Sequence, residues 1–183
     1  MSNNQKGLNQ IYIEGATIFG KNFEGKISDF NTNGRRTFNL KLEPDFAEML
    51  FNDGWAVKQF IPHGEENPVF YLPVEVKYNH FEKYDSEESE RLRQKYNPKV
   101  YLVTENKKTL LDETNIANVD KVWINCVNVR INPYFWKVGS KSGIKAYLDK
   151  MYVMIKDPDD IVIKEDPMDA PFIGIPEGEL NIE

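Results

Sequence analysis

The sequence predicts a mainly β fold with one or two short helices. Three observations carry that reading: apolar residues fall in short alternating runs, the longest runs change phase midway, and complete helix start and stop signals are few. At 183 residues, with 40% hydrophobic and 28% charged, the chain suits one domain with its own core.

The first run, residues 11–19, changes phase at Gly15, where a missing side chain allows a bulge or sharp coil; it is expected to continue toward Gly25-Lys26-Ile27. An Asn31-Thr32-Asn33-Gly34 turn signal precedes the second run, residues 36–42, with Phe38, Leu40 and Leu42 on one face. Pro44 and Gly54 bracket a helix over 45–52, whose apolar stripe is Phe46, Met49 and Leu50; Trp55 reads as the contact closing its end. The third run, 69–78, points Phe70, Leu72, Val74 and Val76 inward, and Pro73 gives this strand one unpaired edge. Residues 86–96 are charged and helical in pattern, with Glu87 and Arg91 at i,i+4, and read as a surface insertion. Residues 100–103 form a short fourth run, and 112–119 a short helix capped by Asp112 with Ile116 and Val119 inward. The long pair, 122–131 and 144–155, switches phase near Cys126-Val127 and near Asp149, as strongly bent barrel strands do.

Charge divides the chain. Residues 157–183 hold nine acids against Lys164 alone, a net of −8, so the total of −6 leaves +2 for residues 1–156. Within that part, residues 120–156 carry seven bases against Asp120 and Asp149. Two domains are therefore expected in the broad sense: a mildly basic folded body, 1–156, and an acidic, Pro- and Gly-rich, disordered tail, 157–183. No run approaches the ~20 apolar residues of a membrane helix, and the polar N-terminal residues lack a signal peptide's apolar segment. One cysteine, Cys126, and two histidines, His63 and His80, form no disulfide and no zinc set of usual spacing. A cytoplasmic protein without metal or cofactor is expected.

The richest stretch is 130–148, where bases, aromatics and glycines interleave around one strand-to-strand connection. Aromatic faces stack nucleobases irrespective of sequence while lysines and arginines track phosphates, so this mixture suits single-stranded nucleic acid. No helix is basic enough to read a duplex groove. Phosphate contacts are assigned to Arg35, Arg36, Lys41, Lys137, Lys141 and Lys145, and stacking to Tyr134, Trp136 and Tyr147. Arg130 belongs to the same stretch, and Lys58, Tyr71 and Lys77 would extend the surface. Phe38 and Phe135 are read as core. Nucleophile and phosphate-loop motifs are missing, which argues against an enzyme. The alternative on the same residues is a protein-interaction or phage-assembly factor, since exposed Tyr and Trp also suit protein interfaces.

The strand Gly139-Ser-Lys-Ser-Gly-Ile-Lys-Ala-Tyr-Leu-Asp-Lys-Met-Tyr-Val-Met-Ile155 resembles the last barrel strand of the bacteriophage OB-fold single-stranded DNA-binding proteins. Asp166-Pro-Met-Asp-Ala-Pro-Phe172 is similar to the acidic tips by which such proteins recruit partners, although eleven residues follow Phe172 here. The resemblance implies an OB-type five-stranded barrel that binds single-stranded DNA without sequence specificity during phage replication or recombination, in the host cytoplasm. It implies replication or recombination proteins as partners of the tail through Asp166, Asp169, Pro171 and Phe172, and is compatible with a homo-oligomer.

Overall fold

The computed structural model describes residues 9–155, and the expectations for the tail lie outside them. In chain order the elements are β1 (Ile11–Ala16), β2 (Ile18–Asn22), β3 (Thr37–Leu42), α1 (Pro44–Asn52), β4 (Lys58–Phe60), β5 (Val69–Glu75), α2 (Ser86–Tyr96), β6 (Lys99–Val103), β7 (Lys108–Leu111), a 3-10 turn (Ile116–Lys121), β8 (Ile124–Val138) and β9 (Lys141–Ile155).

The sheet runs β1-β8-β9-β5-β3-β2, and its two ends are one strand. Only Thr17 separates β1, which pairs with β8, from β2, which pairs with β3, and the Thr17 carbonyl still accepts from Lys41 N at 2.9 Å. The path therefore closes on itself. Counting β1–β2 once gives a five-stranded barrel whose β5–β9 pairing is parallel and whose other pairings along the path are antiparallel. This is an OB-type Greek-key barrel. The mainly β expectation holds, and the extra strands are the divided first strand and the short β4, β6 and β7 lying off the closed path.

The predicted phase changes are bulges. Between Ile13 and Ala16 the register slips against Val129 and Val127, with Gly15 at φ 64° and its N–H donating to Asn128 Oδ1 at 2.8 Å. That bond satisfies the donor the bulge removes from the ladder. In the β8–β9 ribbon the register skips Asn125 on one strand and Asp149 on the other, near the residues where the sequence changes phase. The core fills the barrel with Leu40, Leu72, Val74, Val127, Val129, Ile131, Met151 and Val153, all with no exposed surface, and with Phe23 stacked on Phe38 at 5.4 Å.

Some local expectations change. The first strand ends at Asn22 rather than reaching Ile27, because Asp120 captures the N–H groups of Phe23 and Glu24 at 2.9 and 2.8 Å and turns the chain into a loop. In α1 the inward residues are Ala47 and Leu50, with Phe46 half-buried, while Met49 faces out. Trp55 is buried, and its N–H donates to Leu50 O at 3.0 Å, closing the helix as expected. Pro73 falls in the gap on one edge of β5 between its pairings with β4 and with β9, where its missing N–H leaves no ladder bond unmade.

The insertion between β5 and β8 contains the charged helix α2, capped by Asp85, which accepts from Glu88 N. Its ion pairs are Glu88–Arg91 and Glu90–Arg93, three residues apart, in place of Glu87–Arg91. The segment at Asp112 becomes a turn followed by the 3-10 turn, with Ile116 and Val119 buried as expected. Strand β6 joins the barrel by pairing in parallel with the far half of β9. Glu113 ties the insertion down, meeting Arg36 at 3.4 Å and His80 at 2.6 Å.

Candidate nucleic-acid interface

Both strands of the β8–β9 ribbon are 15 residues long, and their distal ends form a hairpin arm closed by Gly139-Ser140, with Gly139 at φ 60°. Paired residues share a face of the ribbon, so register defines the surface. Asn132 opposes Tyr147, Tyr134 opposes Lys145, and Trp136 opposes Gly143. Across the parallel pairing Tyr147 opposes Glu75, and Glu75 opposes Thr37 on β3. One continuous outward face thus crosses β3, β5, β9 and β8.

Its aromatics are arranged for contact. The Tyr134 and Tyr147 rings meet edge to face at 5.4 Å, and Lys77 Nζ lies 5.8 Å from the Tyr147 ring centre. Trp136 rests directly on Gly143: a Cβ there would sit 3.0 Å from the indole Nε1 and 3.2 Å from two ring carbons. Lys145 is exposed on this face, and Lys137 and Lys141 are exposed near the hairpin tip. Burial pushes the Tyr147 hydroxyl above its ordinary range, Glu75 and Tyr134 add to the rise, and Arg35 opposes it. By register Glu75 is the β5 neighbour of the same ring.

Arg35 enters from the β2–β3 loop, residues 23–36. Asn31 stiffens that loop, accepting from Arg35 N at 2.9 Å and donating to the Lys26 and Arg35 carbonyls. A Cβ at Gly25 would lie 2.6 Å from Gly34 O, so the two ends of the loop approach as closely as glycine allows. At the tip, Phe30 is 99% exposed and lines an open cavity with Asn31, Thr32, Asn33, Arg35 and Thr37. Thr37 leads from this cavity to the Tyr147 face through the register given above. The sequence reading missed Phe30; its only signal was a large aromatic amid turn-forming residues.

The remaining expected residues are distributed differently. Lys41, Tyr71 and Lys58 oppose one another on the same outward face further along β3, β5 and β4. Tyr71 is met edge-on by Phe19 at 5.4 Å and Phe60 at 5.9 Å, in an aromatic cluster of its own. Arg36 is held by Glu113 and lies 5.6 Å over the Tyr78 ring, whose buried hydroxyl is pushed up to about 12. Arg130 pairs with Asp149 and opposes Tyr12 and Lys150, beyond the Asp149 bulge. Phe135, expected in the core, is 52% exposed because the arm extends past the barrel wall that would cover it. Among the described residues no three His, Cys, Asp or Glu side chains converge to hold a metal.

A closed barrel of this strand order, with cations and aromatic rings spread over the β3–β5 face and between the β2–β3 and β8–β9 loops, defines the oligonucleotide-binding class of OB barrels. Over residues 1–181 the sequence matches the family model described as "Putative phage ssDNA-binding domain". The chain belongs to this family of phage-type single-stranded DNA-binding proteins. No curated protein matches the sequence.

Proposed function

We propose that the chain binds single-stranded DNA without sequence preference and protects it during phage DNA replication or recombination. The observation that carries this reading is the single outward face joining Phe30, Arg35, Tyr147, Tyr134, Lys145 and Trp136. Stacking on rings is indifferent to base identity, and lysine and arginine contacts to phosphate are indifferent to sequence. Tyr134, Trp136, Tyr147 and Phe30 stack bases; Arg35, Lys77, Lys137, Lys141 and Lys145 neutralise phosphates; Lys41, Lys58 and Tyr71 extend the path. Arg36 contributes by fixing the loop base rather than by reaching the strand.

The acidic segment 157–183 competes with DNA for this face and recruits replication or recombination proteins through Asp166, Asp169, Pro171 and Phe172. Its net −8 against a +2 body gives the competition its sign. The test is fluorescence anisotropy of labelled oligothymidine against an equal-length duplex, at low and moderate salt, with the full chain and with residues 1–156. Preferential, salt-sensitive binding to the single strand is expected, tighter for 1–156 at low salt. Absence of binding by both would overturn the reading in favour of a protein-interaction role, and equal affinity of the two chains would leave the tail with partners alone.

A further inference from the structure

A second cationic aromatic patch lies on the barrel, away from the loops. Tyr101 on β6 and Tyr152 on β9 are register partners and stack at 5.1 Å with their planes 15° apart. Lys108 Nζ lies 4.9 and 5.5 Å from their ring centres, and Lys150 Nζ lies 5.6 and 5.2 Å from the same two. Lys150 holds the Tyr152 hydroxyl below its ordinary range, with Lys108 and Arg130 acting in the same direction and burial opposing them. Two ammonium groups therefore lie against one phenol ring, and Arg130 is the register partner of Lys150. Arg130 is paired with Asp149, and Tyr12 bonds Glu14 at the rim, but neither Lys108 nor Lys150 meets a carboxylate at ion-pair distance among the described residues.

The Asp149 bulge gives this patch its orientation. Beyond it Met151 and Val153 point into the core, so Lys150 and Tyr152 face out, as Tyr147 does before it. Were Asp149 to take its place in the alternation instead of being skipped, Tyr152 would turn inward. Tyr147 and Tyr152 are thus on one outer surface, about 13 Å apart along the ribbon since their partners Asn132 and Asn128 are four residues apart, with Arg130 and Lys150 between them. The proposed DNA face and this patch are continuous along the β8–β9 ribbon.

We propose that Tyr101, Tyr152, Lys108 and Lys150 form a second contact for single-stranded DNA, taking the strand as it runs on from the Tyr134–Tyr147 face. The inference rests on the DNA-binding reading above and adds a path to it. A short oligonucleotide fills the first face alone, whereas a longer one reaches the second patch and gains its phosphate contacts.

The test compares the full chain with its Lys108→Ala/Lys150→Ala double variant, using labelled oligothymidines of about 8 and about 30 nucleotides, one within and one beyond the roughly 4–16 nucleotides that a single OB barrel covers. The variant is expected to bind the short probe within about twofold of the parent. It should bind the long probe roughly 5- to 20-fold more weakly, with the salt slope shallower by about 1.4, which is ~0.7 for each of two phosphates. A Lys108→Arg/Lys150→Arg variant should recover the long-probe affinity. Equal losses for both probes, or no loss for the long one, would overturn the second contact. Tighter long-probe binding by the alanine variant would also overturn it, by identifying the patch as a seat for the acidic tail. If the parent chain binds neither probe, the underlying DNA reading itself fails, and a variant defect confined to the long probe cannot be mistaken for that outcome.

Discussion

The two halves of the β8–β9 ribbon share a backbone and do opposite things. In the proximal half, residues 124–131 and 148–155, alternate side chains point into the barrel, and Val127, Val129, Ile131, Met151 and Val153 retain no exposed surface. In the distal half, residues 132–147, the strands remain paired in register, but only Ile144 and Ala146 on β9 stay buried, while Tyr134, Phe135 and Val138 are each more than half exposed. Pairing runs through both halves, and the extent of the opposing wall differs: in the distal half it reaches only Ile144 and Ala146, the former bonded to Gly54 and Ala56. Stability should therefore concentrate in the inward side chains of the proximal half, and the first DNA contact in the distal half.

The largest effect that tests this division is in the core. Met151→Ala removes a fully buried side chain and should cost about 2–5 kcal/mol of stability, read as a lowered denaturant midpoint. DNA affinity of the remaining folded protein should be unchanged under native conditions. A selective loss of affinity without loss of stability would break the comparison.

Next comes Trp136→Ala on the arm. Loss of one stacking platform should weaken oligothymidine binding by about 1–3 kcal/mol, roughly 5- to 150-fold, and shift thermal unfolding little. Gly143→Ala sharpens the point, since its methyl group meets the indole at 3.0–3.2 Å and must displace it. A part of the Trp136→Ala defect should follow, with the ring still present. A large drop in thermal stability for Trp136→Ala would instead make the indole a packing element.

Lys145→Ala, on the same face, should act mainly through phosphate: affinity falls severalfold, and the slope of log K against log salt becomes shallower by about 0.7. An unchanged slope would mean that Lys145 is a solvated lysine beside the path.

The same division explains what the sequence discloses. Phe38, Leu40 and Leu42 alternate strictly and are buried, and the phase changes at Gly15 and Asp149 correspond to bulges, because a half-buried strand writes its two faces into alternate residues. The distal arm has aromatic residues at 134, 135 and 136 in succession, so alternation is uninformative there and Phe135 reads as core. Arg35 and Arg36 look equivalent in sequence, yet one lines the loop cavity while its neighbour is taken by Glu113 and Tyr78, partners 78 and 113 that no local pattern brings near. Phe30 and the Tyr101–Tyr152 stack are invisible for a related reason: exposure in a turn and parallel pairing between distant strands are decided by tertiary placement.

The smallest expected effect concerns the one carboxylate in the middle of the proposed DNA face. Glu75 opposes both Thr37 and Tyr147, and its charge raises the Tyr147 hydroxyl against the pull of Arg35. A fixed negative charge there repels phosphate. Glu75→Gln keeps the shape and removes the charge, so single-strand affinity should rise, by about 0.2–1 kcal/mol at low salt, and the gain should fade as salt screens it. Weaker binding would reverse the inference, making Glu75 a residue that positions Arg35 for the strand rather than one that opposes it. Because the substitution lies outside the core, stability should be unchanged in either case, and titration at two salt concentrations separates the two roles.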